Sequence, residues 1–175
     1  GAIGRKVAQI AGLLGAKVSY YDPCRPDPEI EKEFDVVFRP FDELLCTSDV
    51  VSLHLPLSDR TRNLIGPQEL KRMPPGALLV NTARGEIVDQ AALAESLEAG
   101  HLAGAAIDTV SPEPPPAFHP LLNLSAEARD RLLITPHIAG TTRGAFRRML
   151  THALANIVAV VAGKAPRNVV NGVKQ

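Results

Sequence analysis

The sequence predicts an α/β protein built on a doubly wound parallel sheet, and three observations lead to that prediction. Segments typical of strands alternate with segments typical of helices along the chain. The strand-like segments are continuously apolar, as strands covered on both faces are. Polar side chains follow five of these segments, and parallel strands bring such exits to one edge of a sheet, where ligands bind.

The strands are identified as short runs of apolar and β-branched residues that end at polar or turn-forming residues. They are predicted over residues 17–22, 35–38, 50–56, 77–82, 105–110 and 132–136. The polar side chains at their exits are Asp22, His54, Thr82 with Arg84, Asp108 and His137. We therefore expect these side chains to gather at one edge of the sheet.

The helices are identified by apolar residues at helical spacing and by capping residues. They are predicted over residues 5–14, a short segment capped by Asp42, residues 67–72, a segment from its cap Asp89 to Gly100, and a final helix opened by Thr142. Gly15 stands where the first helix would take a C-terminal cap. The final helix has an apolar stripe, and Gly163 and Pro166 stop it. The segment SPEPPPAFHP is too rich in proline for regular structure.

Composition and charge argue against several classes of function. The 175 residues have no formal net charge and are 45% hydrophobic, which suits a sizeable core and argues against binding nucleic acid or a membrane surface. No apolar run approaches the roughly 18 residues of a membrane span. Cys24 and Cys46 have no metal-ligand spacing, so we expect no metal site, two reduced thiols and a cytoplasmic protein.

The first residues carry the second half of a dinucleotide-binding fingerprint. The chain opens GAIG and enters a helix, and Asp22 follows Gly4 by 18 residues, at the end of the next strand. Gly1 would let the backbone approach a pyrophosphate at the positive end of the helix dipole, and Gly4 would let helix and strand pack closely. Asp22 would accept from ribose hydroxyls and repel a 2′-phosphate, which favours NAD over NADP, although the nearby Arg25 points the other way.

The first glycine of that fingerprint and the strand before it are absent. In a doubly wound sheet of order 3-2-1-4-5-6 that strand is central. Without it, two strand edges and a slot between them would stay unpaired. We therefore expect the natural protein to be longer at its N-terminus.

Three further motifs lie at strand exits, namely VNTARG (80–85), DTVSPEP (108–114) and TPHIAG (135–140). With GAIG and YDP they closely resemble the D-isomer-specific 2-hydroxyacid dehydrogenases, which include phosphoglycerate, glycerate and D-lactate dehydrogenases. The segment NIVAVVAGKAPRNVVN is similar to the family's returning C-terminal helix. The resemblance implies an NAD-dependent oxidoreductase of two domains. Residues 1–142 would form a Rossmann-like NAD-binding domain, and residues 143–175 a helix and tail that return towards the substrate domain.

The resemblance places the family's catalytic arginine on Arg84, its acid on Glu113 and its histidine on His137. The chemistry of a hydride transfer at C2 of a hydroxy acid favours the same types of side chain. Histidine, with a reference pKa of about 6.5, suits proton exchange with the substrate oxygen, and a carboxylate against its other nitrogen fixes the tautomer. An arginine fork binds a carboxylate through two hydrogen bonds. Small residues at Ala83 and Gly85 would let the backbone pass beneath nicotinamide and substrate.

The resemblance also implies supporting positions and partners. The positions that would contact the cofactor are Ala2 and Ile3 at the pyrophosphate, Tyr21 and Pro23 at the adenosine, Leu55, Pro56 and Thr61 along the cleft, Thr82, Ala83 and Asp108 at the nicotinamide, and Gly140 behind His137. The substrate would be a small 2-hydroxy or 2-keto acid. A homodimer is expected, to which the apolar segments at 90–107 and 118–124 could contribute.

Two other classes of function remain compatible with these residues. Some members of this fold family are NAD(H)-sensing transcriptional corepressors and can keep the same three side chains. A hydrolase of the related adenosylhomocysteinase-like fold would not need them. Within the family, formate dehydrogenases are similar at GTT (140–142) but have glutamine where Glu113 stands, so Glu113 favours a hydroxy-acid substrate. No basic cluster selects a phosphorylated acid, and the substrate's identity stays open.

Overall fold

A computed structural model describes residues 1–169. The chain divides into two compact units, Gly1–His137 and Ile138–Gln175, and each is described by itself. Within residues 1–169, no helix combines the length and the apolar character needed to cross a membrane. The predicted tail segment NIVAVVAGKAPRNVVN ends outside the described residues, at positions 170 and 171.

The first unit contains six strands, and all of their pairings are parallel. They are β1 Val18–Tyr20, β2 Val36–Phe38, β3 Val50–Leu53, β4 Leu78–Asn81, β5 Gly104–Ile107 and β6 Leu132–Ile134. The prediction of an α/β fold with a parallel sheet is confirmed. The strands are shorter than predicted, because a residue belongs to a strand only where a neighbouring strand pairs with it. Leu53, for example, is the last residue of β3 and pairs with Asn81, the last of β4.

The strands form two separate sheets. β1 pairs with β2, and the other four strands follow one another in the order β3-β4-β5-β6. Among the described residues β1 and β3 therefore each pair on one side only.

Seven α-helices are described in residues 1–169. They are α1 Ala2–Leu13, α2 Pro28–Phe34, α3 Phe41–Thr47, α4 Pro67–Arg72, α5 Gln90–Glu98, α6 Ala126–Arg129 and α7 Arg143–Val161. Short 3₁₀ turns follow β4, at Gly85–Ile87, and precede α6, at Pro120–Leu122. The sequence did not predict α2 and α6, which have seven and four residues.

The caps of the longer helices are where the sequence predicts them. The Asp89 side chain accepts hydrogen bonds from the backbone N–H groups of Ala91 and Ala92 at the start of α5. Gly15 and Gly100 follow α1 and α5 with positive φ values of 88° and 67°, the left-handed conformation that glycine adopts most easily.

Asp42 is not an N-cap, and that prediction was wrong. The helix begins two residues earlier than expected, at Phe41, and Pro40 occupies the cap position without a side-chain hydrogen bond. Asp42 instead lies in the first turn, where its charge is favourable to the helix dipole, and its carboxylate is 3.4 Å from the Arg72 guanidinium of α4. An acidic residue near the start of a helix can be the N-cap or can lie in the first turn, so the local sequence could not distinguish the two positions.

The hydrophobic core lies around the four-stranded sheet. Leu79 at the centre of β4 is fully buried, as are Leu93 and Leu97 on α5, and Leu102 before β5. The apolar residues of 90–107 thus serve chiefly the core, and they are not available as the dimer surface that the sequence suggested. In segment 118–124, Phe118 remains 84% exposed.

The second unit contains α7. Thr142 caps it as predicted, because its hydroxyl accepts from the N–H of Ala145. Gly163 follows the helix with a φ of 68°. Beyond it, the Asn156 side chain forms two hydrogen bonds with the backbone of Arg167, at 2.9 and 3.2 Å. These bonds fold the tail back along the helix.

Replacing Asp89 by alanine removes two hydrogen bonds at the start of α5, a helix that supplies the core. We expect the free energy of unfolding to fall by about 1 kcal/mol. Urea denaturation of the full-length protein measures it. Asp59→Ala, the same change at an exposed loop position, should stay within about 0.5 kcal/mol of wild type. Equal stability of the two variants would show that the cap is not needed.

Candidate active site

The exits of β3 to β6 are aligned at one edge of the sheet. Asn81 pairs with Leu53 on one side and with Ile107 on the other, and Ile107 pairs with Ile134. Arg84 follows β4, Asp108 follows β5 and His137 follows β6. Since neighbouring strands are about 4.8 Å apart, the backbones at the ends of β4 and β6 are roughly 10 Å apart. A small molecule could touch residues from both exits.

The turn after β4 presents Arg84 and is held from beneath by Asn81. The Asn81 side chain is fully buried. Its Nδ2 donates to the carbonyl oxygen of Arg84 at 2.8 Å, and its Oδ1 accepts from the N–H of Ala83 at 3.0 Å. The Arg84 side chain is exposed and its Nη1 donates to the Ala83 carbonyl oxygen at 2.6 Å. Thr82 is exposed and Ala83 is half-buried beside it.

Gly85 is small because another backbone crosses it. A Cβ atom at this position would be 2.6 Å from the carbonyl carbon of Val110 and 2.8 Å from the nitrogen of Ser111. Side chains cannot relieve such contacts, because both neighbours are backbone atoms. The turn that carries Arg84 and the chain that leads to Glu113 are therefore in direct contact.

His137 and Glu113 form a pair beyond β6. The distance from His137 Nδ1 to Glu113 Oε2 is 2.9 Å, and the two side chains are 47% and 43% exposed. His137 has a positive φ of 53°, and its N–H donates to the carbonyl oxygen of Thr135. With Nδ1 directed at the carboxylate, Nε2 is the ring nitrogen left for exchange with a substrate.

The exit of β5 buries two polar side chains. Asp108 is 5% exposed and accepts a 2.5 Å hydrogen bond from the hydroxyl of Thr135, while its N–H donates to the Asn81 carbonyl oxygen. Thr109 is 2% exposed, and within residues 1–169 its hydroxyl has no hydrogen-bond partner. Buried polar groups are normally satisfied, so the Thr109 hydroxyl is an exception at this exit.

The N-terminus of α1 has the features of an anion-binding turn. Gly1 is its N-cap, and among the described residues no side chain caps it. The helix begins at Ala2, so the N–H groups of Ala2, Ile3 and Gly4 lie in its first turn, where they have no carbonyl partner within the helix. A Cβ atom at Gly1 would meet nothing within 4 Å, whereas one at Gly4 would touch His54 at 3.4 Å. Burial lowers the pKa of His54, so neutral imidazole is favoured there.

Asp22 lies half-buried after β1 with its loop ordered around it. Its Oδ1 accepts from the N–H of Cys24 at 2.9 Å. The neighbouring Tyr21 ring packs against Phe41, with centroids 5.4 Å apart, and Pro23 is exposed on the other side of Asp22. The carboxylate is therefore presented on a defined turn.

Arg25, whose charge could attract a 2′-phosphate, is already engaged. Its Nε and Nη2 donate to the two carboxylate oxygens of Glu31 at 2.6 and 2.9 Å, and its guanidinium lies 4.8 Å from the centre of the Phe38 ring. The hydrogen bond from Arg25 is the main cause that lowers the pKa of Glu31 to about 2. The pair therefore stays ionised at neutral pH, and this arginine offers no free fork beside Asp22.

Leu55, Pro56 and Thr61 lie in the loop after β3. Leu55 is half-buried against the core and Pro56 is exposed. The Thr61 hydroxyl donates to the Pro56 carbonyl oxygen at 2.8 Å and accepts from the N–H of Ser58 at 2.7 Å. Thr61 thus holds its own loop together, and its contact with a cofactor stays a prediction.

Gly140 belongs to the second unit, where it is exposed and a Cβ would meet nothing within 4 Å. Its role behind His137 stays a prediction. In the described part of the chain, no three His, Cys, Asp or Glu side chains are grouped as a metal site would require.

Three side chains at this edge carry structural roles that the sequence did not reveal. Asn81 holds the turn of Arg84, while Gln90 and the buried His119 hold the chain before Glu113, at Ser111. Asn81 could have been suspected as a polar residue at the end of an apolar strand. The roles of Gln90 and His119 depend on a backbone that crosses them in the folded protein, and no local signal marks it.

Comparisons with known proteins agree along nearly the whole chain. The family model described as D-isomer specific 2-hydroxyacid dehydrogenase, NAD binding domain, matches residues 1–139. The glyoxylate reductase of Aeropyrum pernix is 44% identical over 171 residues, which are 98% of this chain and 49% of that protein. The glycerate dehydrogenase of Methylorubrum extorquens is 38% identical over 170 residues, or 97% and 50% of the two chains.

A solved structure gives the same result. The D-lactate dehydrogenase with NAD⁺ from Lactobacillus jensenii superposes with a TM-score of 0.84 at 36% identity, covering 98% of this chain and 53% of that one. This chain spans about half the length of the curated relatives that it matches.

Replacing Gly85 by alanine places a methyl group against the backbone of Val110 and Ser111. We expect the free energy of unfolding to fall by about 1–3 kcal/mol, because neither backbone segment can yield without moving its turn. Thermal denaturation of the full-length protein measures the loss. Gly12→Ala in α1, where a Cβ meets open space, should be neutral or stabilising by up to about 1 kcal/mol. Wild-type stability of Gly85→Ala would contradict the close crossing.

Proposed function

Since the chain belongs to the D-isomer specific 2-hydroxyacid dehydrogenase family and matches its NAD binding domain, we propose that the whole protein is an NAD-dependent D-2-hydroxyacid dehydrogenase. It would transfer a hydride between nicotinamide and C2 of a small 2-hydroxy or 2-keto acid. The observation that carries the proposal is the contact of His137 Nδ1 with Glu113 Oε2 at 2.9 Å, on the sheet edge that also presents Arg84.

The residues at this edge fit a dinucleotide. The first turn of α1 offers N–H groups and a positive dipole end for a pyrophosphate. Asp22 offers a carboxylate for the ribose, and the exit of β5 offers Asp108 for polar groups of the nicotinamide. Bound NAD supplies the carbon that accepts or gives up the hydride.

His137 would exchange the proton of the substrate oxygen through Nε2. In oxidation of the hydroxy acid, neutral His137 takes the hydroxyl proton as the C2 hydride leaves, and in reduction of the keto acid it returns that proton. Glu113 holds Nδ1 protonated, which leaves Nε2 with the lone pair that oxidation needs, and its charge stabilises the imidazolium. Acid–base groups placed in this way typically contribute about 10²–10⁴-fold.

Arg84 would bind the substrate carboxylate and polarise the adjacent carbonyl. Its side chain is exposed and, among residues 1–169, makes only a local bond, from Nη1 to the Ala83 carbonyl oxygen, so the other guanidinium nitrogens remain for a bidentate contact. The two hydrogen bonds that the Asn81 side chain makes with this turn fix the direction in which the Arg84 side chain leaves the sheet.

We also propose a cytoplasmic homodimer. Both cysteines are free, as expected of a reducing compartment. Phe118 at 84% exposure is a large apolar side chain on the first unit, in one of the segments that the sequence suggested for a dimer surface. Sedimentation velocity of the full-length protein tests the proposal, and a monomer at micromolar concentration would refute it.

The function is tested by NADH oxidation at 340 nm with the full-length protein and a panel of glyoxylate, hydroxypyruvate, pyruvate, phosphohydroxypyruvate and longer 2-keto acids. We expect turnover on at least one of them. NADPH should be used at least about tenfold less well, because Asp22 repels a 2′-phosphate and Arg25 is held by Glu31. Tight NADH binding without turnover on the whole panel would favour an NAD(H)-sensing protein instead.

Single substitutions separate the roles of the two side chains. His137→Ala should lower kcat by about 10²-fold or more while NADH binding survives, and Arg84→Ala should raise KM and lower kcat together. Steady-state kinetics and NADH fluorescence titration measure both effects. The matched controls are His152→Ala and Arg60→Ala at exposed positions, which should behave as wild type. Near-normal turnover of either site variant would remove that residue from the mechanism.

A further inference from the structure

The loop that carries Glu113 has few means of holding itself in place. Residues 111–119 contain no helix or strand. Four of these residues are prolines, at positions 112, 114, 115 and 116, and proline has no N–H to donate. Glu113 itself is 43% exposed, so packing does not restrict it strongly. The position of its carboxylate must therefore depend on donors that reach the loop from elsewhere.

Gln90 supplies such a contact at the start of the loop. Its Nε2 donates to the carbonyl oxygen of Ser111 at 2.9 Å, and its Oε1 accepts from the N–H of the same residue at 3.1 Å. One side-chain amide thus satisfies both backbone groups of Ser111. Gln90 is the first residue of α5, whose start is itself fixed by the Asp89 cap, so this anchor is attached to the core.

His119 reaches the same peptide from the end of the loop. Its Nε2 lies 3.1 Å from the Ser111 carbonyl oxygen, and its Nδ1 accepts from the N–H of Leu121 at 3.3 Å. Since Nδ1 accepts, the ring proton must be on Nε2, which then donates to Ser111. The ring is 4% exposed, so both contacts are shielded from water.

Glu113 follows Ser111 by two residues. Its contact with His137 lies at the solvent-exposed edge of the sheet, whereas the contacts of Gln90 and His119 with Ser111 are partly buried. The same Ser111 backbone also packs on Gly85, next to Arg84. Ser111 is therefore the fixed point from which the carboxylate extends towards the imidazole.

We propose that Gln90 and His119 are positioning residues that keep Glu113 against His137 by fixing the Ser111 peptide. Neither residue touches the reacting atoms. This inference rests on the proposed dehydrogenase function, in which the Glu113 contact keeps the proton on His137 Nδ1. Loss of either anchor would loosen the carboxylate, whereas the turn of Arg84 keeps its own hydrogen bonds to the buried Asn81 side chain.

Gln90→Ala in the full-length protein tests the proposal kinetically. We expect kcat to fall on the order of tenfold, because a displacement of about 1 Å at a catalytic group has effects up to about 10²-fold. The NADH dissociation constant and the substrate KM should stay within about twofold. In a Glu113→Ala background the same substitution should have less than about a twofold further effect, because the contact it supports is already lost. Gln68→Ala, at an exposed position of α4, is the matched control.

Hydrogen–deuterium exchange gives a readout that does not depend on turnover. Gln90→Ala should speed exchange in the peptide covering residues 109–119 and leave the peptides of β4 and α4 unchanged. His119→Ala should do the same, and His119→Gln, which keeps a side-chain N–H donor, should recover part of the protection and of kcat. Recovery in His119→Gln would show that the effect of His119→Ala comes from the lost N–H donor and not from a failure to fold.

The outcomes separate this inference from the proposed function. Wild-type turnover on the panel together with unchanged kcat and unchanged loop exchange in Gln90→Ala would overturn the positioning role and leave the dehydrogenase intact. Fully additive losses in the Gln90→Ala, Glu113→Ala double variant would also overturn it. Absence of turnover in the wild-type protein would remove the proposed function, and the inference with it.

Discussion

The parallel hydrogen bonding of β3 to β6 in one register is the constraint on which the rest of this structure depends. Because the strands end level with one another, each polar side chain that follows them is delivered to the same edge. The groups suited to chemistry, Arg84, Glu113 and His137, are exposed there. The groups that hold them, such as Asn81 and His119, are buried and bond to backbone atoms, since a buried polar side chain without a partner would be costly.

Much of this arrangement could be predicted from sequence because its causes are local. Each continuously apolar run became a parallel strand, and Asp89 and Thr142 cap their helices because the cap and the N–H groups it satisfies are near neighbours in the chain. The contact of His137 with Glu113 was expected from the chemistry of proton exchange and from the family resemblance, and the geometry is compatible with it. Their catalytic roles stay predictions.

The remaining features depend on contacts between distant segments, which periodicity and caps do not encode. Asp42 was misassigned because its position in the first turn is favoured by the helix dipole and by Arg72, 30 residues away. His119 looked like one more residue of an irregular loop, yet its partner is a carbonyl group eight residues earlier. Gly85 was recognised as necessarily small, but the backbone that requires it, at Val110 and Ser111, could only be identified in the folded chain.

The contact between Gly85 and the backbone of Val110 and Ser111 leaves no room for adjustment between two turns. One turn presents a cation and the other leads to an anion, and the two are packed too closely to move towards each other. The contact thus sets a lower limit on the distance between the two turns. A side chain larger than hydrogen at position 85 would push the two turns apart, and with them the cation and the anion that they carry.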